Sequence, residues 1–240
     1  MNKKIIIAIA ILFPLISYAN NLAPLPTKGL TIVPIAKTNI PEALKKHILR
    51  VKAEQEKNGY YESKDKDEYI RHLIKLKRNA SSEIKSFKNS GNPYDTHLKE
   101  NLSDITLAFP FKPVDTIKDI NVTGYAAVGT FIHERSIAKK GWTGIGVFFN
   151  ENKLGSCAYT FVNLKLSHGA AQLNNETTQY LVNNKPSSII VEGNNNGGFL
   201  YDLIWFTPDT MSQLECANML FDKSITSKLI AMAGVVDKRR

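Results

Sequence analysis

Side chains able to do acid–base or nucleophilic chemistry are sparse in this chain, and three positions hold most of the interest. His133 is followed by Glu134 and Arg135 at the end of an alternating segment, and a histidine beside a carboxylate can serve general acid–base catalysis. Successive strand residues point to opposite faces, so His133 and Glu134 are expected to diverge, which favours a solvated strand end. Asp202 lies between Leu200 and Ile204, with Phe206 beyond, on the apolar face of another alternating segment. A carboxylate there is costly unless it is paired. Glu192, across an expected hairpin, is its candidate partner. The two could be the acid and base of a hydrolase, or Asp202 could guard a strand edge or bond to the Asn194–Gly198 loop. The structural role is the preferred expectation.

Other chemistry leaves little trace. The sequence has no phosphate loop, no dinucleotide fingerprint, no His-Glu-x-x-His helix and no Gly-x-Ser-x-Gly elbow. No His or Cys pair has metal-ligand spacing, so neither a metal nor a cofactor is expected. Cys157 and Cys216 are the two cysteines. Neither adjoins a histidine and no Cys-x-x-Cys is present, so the pair is expected to form a structural disulfide. Trp142, Trp205, Phe148 and Phe149 read as core rather than as a carbohydrate platform.

The charge is +9, with the basic excess concentrated ahead of Pro110. Lys45, Lys46 and Arg50, then Arg71, Lys75 and Arg78, could form a patch for an anionic envelope component such as lipopolysaccharide or phospholipid. Glu54, Glu56, Asp65, Asp67 and Glu68 dilute it, and a solvated lysine-rich helix face is the simpler expectation. The partner is otherwise expected to be a protein, and nucleic acid is not expected given the compartment.

That compartment is read from the first residues. Lys3 and Lys4 precede an apolar run from Ile5 to Ile16, and Ser17-Tyr18-Ala19 places small residues for cleavage before Asn20. The run is shorter than the roughly 20 residues needed to span a bilayer, so no transmembrane segment is expected after cleavage. Heavy use of Asn, Lys and Ile adds a bacterial leaning, with the protein periplasmic or secreted.

The elements that must position these residues follow from periodicity. After the signal peptide, residues 20–38 read as a Pro-containing extended leader. Residues 39–108 read as helical: Leu44, Ile48 and Val51 line one face of a helix ending at Asn58-Gly59. Tyr69, Leu73, Leu76, Ala80, Ile84 and Phe87 line a second, completing a helical hairpin. Period two takes over in residues 109–240, with strands around Ile120–Ile132, Thr143–Phe149, Ala158–Leu166, Gln179–Val182, Ile189–Val191 and Phe199–Phe206. Thr207-Pro208 is expected to open a helix with Met211, Leu214, Ala217 and Phe221 as its stripe, and Ser224 a further one.

The expected fold is therefore α+β: an N-terminal helical hairpin, then an antiparallel meander covered by a C-terminal helix tethered through Cys216 to the sheet. Function is expected to be that of a non-catalytic binding or accessory module, exported to the envelope or beyond. A secreted hydrolase using Asp202 and Glu192, or a host-targeted effector, are the alternatives.

Overall fold

A computed structural model describes residues 29–38, 40–74, 98–133 and 140–238. The chain opens with β1 (Gly29–Val33), α1 (Glu42–Asn58) and β2 (Tyr61–Glu62). α1 begins after Pro41, whose fixed φ suits a helix start, and stops at Gly59, which takes the left-handed conformation at φ 87°. Residues 67–74, here α2, are helical. β3 (Leu98–Lys99) and a short 3-10 turn over Leu102–Asp104 lead to the long strands β4 (Ile120–Ile132), β5 (Gly141–Glu151) and β6 (Gly155–Asn163). The single-turn α3 (Leu164–Ser167), β7 (Ala170–Asn174) and β8 (Tyr180–Val182) follow. The chain then forms β9 (Lys185–Asn194), β10 (Gly198–Phe206), β11 (Thr210–Asn218) and α4 (Ser224–Asp237).

A nine-stranded mixed sheet dominates, in the order β2-β9-β10-β11-β6-β5-β4-β3, with β8 also on β9. Two antiparallel meanders, β4-β5-β6 and β9-β10-β11, are joined through β6 and β11. β2 adds in parallel to β9, and β1 pairs in parallel with β7 as a separate ribbon.

These observations replace the expected α+β arrangement of helical hairpin, simple meander and tethered helix. The molecule is mostly β, and its main sheet is mixed. β2 pairs in parallel with β9 where the connection of the expected helical hairpin would lie. The expected second helix is described only over 67–74, so Leu76, Ala80, Ile84 and Phe87 lie outside the described residues. Leu98 and Leu102 stand in a strand and a 3-10 turn rather than a helix.

The largest correction concerns residues 207–221. Thr207 and Thr210 close a tight turn through their backbones and hydroxyls, and Thr210–Asn218 is then strand, not helix. Met211, Leu214 and Ala217 fit a spacing of three, but the same stretch also alternates. Ser212, Leu214 and Cys216 face the main core, while Met211, Gln213, Glu215 and Ala217 face the other way. A stretch of nine residues with both periods is decided by tertiary pairing, here with β10 and β6 on either side.

The disulfide between Cys157 and Cys216 is present. Its geometry differs from expectation, because the two residues are directly opposite on neighbouring strands, with Cα atoms 4.1 Å apart. It therefore braces the junction of the two meanders and tethers no helix. Both cysteines are buried in the main core beside Tyr159, Tyr201, Leu214 and Trp205.

Both faces of the sheet are covered. On the first, α4 contributes Ile225, Leu229, Ala233 and Val236, and the 102–117 segment contributes Ile105, Val114 and Ile117. On the second, α2 places Ile70 and Leu73 over Ala158, Leu200 and Ala217. The β1/β7 ribbon covers Val162, Ile204, Phe206 and Met211 at the other end. The outer edge of β9 is closed in three ways. β8 pairs with one end and β2 with the other. Between them the Gln55 carboxamide donates to the Ile189 carbonyl (3.0 Å) and accepts from the Val191 amide (2.7 Å). A helix side chain thus does the work of a neighbouring strand and leaves these edge groups satisfied.

Candidate functional site

Between the two covers on the second face, the sheet carries a polar strip. Asp202 on β10 faces Glu215 directly across on β11. Glu192 on β9 belongs to the same face, opposite Leu200 and so diagonal to Asp202. Gln213, two residues before Glu215, donates its side-chain nitrogen to both Asp202 oxygens, at 3.0 and 3.1 Å. From above, the Tyr69 hydroxyl on α2 donates to Glu215 Oε2 at 2.7 Å. The cluster thus consists of three carboxylates on three adjacent strands, one amide and one phenol.

Electrostatics pushes these carboxyls towards their neutral forms. Burial is the main cause for Asp202, reinforced by the facing Glu215, and the combined effect outweighs the Gln213 hydrogen bond and nearby Lys66. Glu215 is raised for the same first reason, opposed by the Tyr69 bond and Lys66. Glu192 is pushed by burial from 4.5 to about 7, with the Asp202 charge adding and Lys66 opposing. The Tyr69 phenol, buried against Glu215, is held well above its ordinary value and remains a donor. Two carboxyls directly opposed in a low-dielectric layer cannot both ionise cheaply, so Asp202 and Glu215 titrate as a pair. Such a pair can hold and release a proton, which is acid–base capacity in itself. Among the described residues no three His, Cys, Asp or Glu side chains form a metal-binding group.

A proton-linked stability follows, with a definite sign. Carboxyls whose folded pKa exceeds the unfolded value bind protons more tightly in the native state. Stability is then fullest below the unfolded values, 3.8 for Asp202 and 4.5 for Glu192, and declines as pH rises, for Glu192 through about 7.

The expected pairing of Glu192 with Asp202 brought the right residues to one face, but the closer partner is Glu215, within the stretch read as helix. Asp202 occupies a central strand, so it guards no edge, and the Asn194–Gly198 turn is held by other groups. Asn194 Oδ1 accepts from the Asn196 and Gly197 amides, while its nitrogen donates to Asp67 and to the Ser63 carbonyl. His133 lies far off. The row from Asp202 through Glu215, Ala158 and Phe148 reaches β4 at Gly124, four strand spacings or roughly 19 Å away. His133 is nine residues further along that chain, with its ring against Phe131. Glu134 and Arg135 lie outside the described residues.

The basic positions divide in the same way. Lys45 is 3.9 Å from Glu42, Arg50 4.0 Å from Glu54, and Lys52 2.7 Å from Glu56. Arg50 also donates to the Tyr61 hydroxyl and lies over its ring. Lys46 and Arg71 are exposed, and Lys75 and Arg78 lie outside the described residues.

A second buried constellation had no signal in the sequence. Asp237, in the last turn of α4, accepts from the indole nitrogen of fully buried Trp205 (3.0 Å), from Asn183 (3.0 Å) and from the Lys185 ammonium. Burial alone would raise its pKa, but these three donors together hold it below the usual carboxylate value. Asn183 and Asn184, both at positive φ, make the β8–β9 turn that presents the donors. A Lys-Asn-Asp network across 52 or 54 residues leaves no local pattern to read. No known family, curated protein or solved structure matches this chain.

Proposed function

We propose that this is an exported accessory protein that acts by binding, and that its buried carboxylates serve the fold. The carrying observation is where the hydrogen bonds of the acid cluster go. Gln213 occupies both oxygens of Asp202 within the sheet, and Glu215 holds α2 down through Tyr69. A general acid must instead aim its proton at a bound substrate. The cross-strand disulfide suits an oxidising compartment, and no described helix is long and apolar enough to cross a membrane.

One observation favours a second reading, a secreted hydrolase. Asp202 and Glu215 are opposed carboxyls with raised proton affinity, as an acid–base pair would be. A panel of chromogenic glycosides, esters and peptides, assayed between pH 4 and 9, separates the two. The binding reading expects no turnover above buffer. Turnover that vanishes in a folded Asp202→Asn variant would install the hydrolase instead. Export has its own test: mass spectrometry of the secreted or periplasmic product is expected to give Asn20 as first residue, and an intact Met1 on a membrane-bound form would refute it.

A further inference from the structure

Four asparagines open the Asn-x-Ser or Asn-x-Thr triplet that accepts an N-linked glycan: Asn79, Asn101, Asn121 and Asn175. Asn79 lies outside the described residues, and the other three are exposed. Asn121 differs from the rest in what stands two residues ahead of it. There it has Asp119, where the others have Lys77, Lys99 and Leu173. An acid at that position offers the transferring enzyme a charged anchor, the form of acceptor that bacterial periplasmic oligosaccharyltransferases select. Asp119 also takes the left-handed conformation, at φ 67°, as the chain turns into β4. Asn121 is the one exposed residue within 120–128. On one side β4 pairs with β5, whereas β3 reaches its outer side only at Tyr125 and Ala126. Among the described residues no strand covers that outer edge over 120–124.

We propose that Asn121 is a glycosylation site, receiving an oligosaccharide from a lipid pyrophosphate carrier. This rests on the export reading, because the transfer takes place outside the cytoplasm. In the reaction the Asn121 carboxamide nitrogen bonds to C1 of the first sugar and loses one proton. The C1–O bond breaks, and the lipid pyrophosphate leaves with the electron pair. The enzyme must grip residues 119–123 as free chain, but the fold pairs Ile120, Asn121 and Val122 with β5. Transfer therefore precedes closure of the sheet, during export, and the folded molecule must then accommodate the sugar. It can, since Asn121 is exposed beside an open edge. A bulky hydrophilic group there also keeps that edge from pairing with another chain, the hazard of an uncovered edge strand.

The test expresses the full chain in a bacterial strain supplied with a periplasmic oligosaccharyltransferase and its lipid-linked oligosaccharide, and maps the product by mass spectrometry. The expected product begins at Asn20 and carries a single glycan, on the peptide that contains Asn121. Asn121→Gln changes an exposed side chain by one methylene, so it should abolish the glycan while the unglycosylated protein keeps its urea midpoint. Thr123→Val should abolish the glycan too, and Thr123→Ser should retain it, because the triplet needs the hydroxyl. Asp119→Asn removes the charge but keeps a residue that tolerates left-handed backbone. Its occupancy should fall about tenfold, the ratio that one charge-assisted contact confers. A product that begins at Asn20 and is bare at Asn121 would overturn the proposal and leave export standing. Equal occupancy at Asn101, or an occupancy indifferent to Asp119→Asn, would overturn the choice of site. A product that keeps Met1 inside the cell would remove the export reading, and this proposal with it.

Discussion

Replacing Asp237 by alanine is expected to destabilise the protein by about 3–5 kcal/mol, the cost of breaking a buried ion pair by removing one partner. The carboxylate is nearly inaccessible and serves three donors at once: Lys185, Asn183 and the Trp205 indole. Its loss takes the ion-pair partner from the Lys185 ammonium and the carboxylate acceptor from the buried Trp205 indole. It also frees the end of α4, whose Leu229, Ala233 and Val236 cover the first face. Asp237→Asn should cost less, since the amide oxygen still accepts from Trp205. Urea denaturation measures both. Equal stability of Asp237→Ala and the parent would mean that the network contributes nothing to holding α4.

Removing the disulfide is expected to cost about 4 kcal/mol, from the loop entropy returned to an unfolded chain cross-linked over 59 residues. Cys157→Ala with Cys216→Ala tests this without placing new polar groups in the core. The bond joins the two meanders at β6 and β11, a junction that no hairpin closes. Its loss should therefore lower the denaturation midpoint and slow refolding, because the long-range pairing must then be found without the bond in place. The bond is buried, so resistance to reducing agent under native conditions is expected as well. A double variant as stable as the parent would show that strand pairing alone secures the junction.

The legible parts of this molecule are those whose signal is local. Alternation located β4 and β5, Asn58-Gly59 located the end of α1, and the Asn-rich stretch located the β9–β10 turn. What was not legible depends on pairing at a distance. β11 carries both helical and strand spacings over nine residues, and only neighbours on both sides decide between them. That ambiguity hid Glu215, and with it the nearest partner of Asp202. A directly opposed cysteine pair was the missed clue, since 157 lay on a recognised strand and a second strand was one way to reach it. Tyr69, Gln213 and Asp237 had no legible signal, because their roles arise from contacts across 146, 11 and 32 residues.

The central claim, that burial and the facing Glu215 hold the Asp202 carboxyl in its neutral form inside the sheet, is most directly tested by the melting temperature of Asp202→Asn against the parent at pH 5 and pH 8. Asparagine keeps the shape and cannot ionise. The parent should melt about 5–10 °C lower at pH 8 than at pH 5, because the raised carboxyls must give up protons that the native state holds more tightly. The variant should lose much of that decline, keeping the part due to Glu192 and Glu215, and at pH 8 it should melt above the parent. A variant that melts lower than the parent at pH 8, with the parent's own pH dependence unchanged in it, would contradict the account.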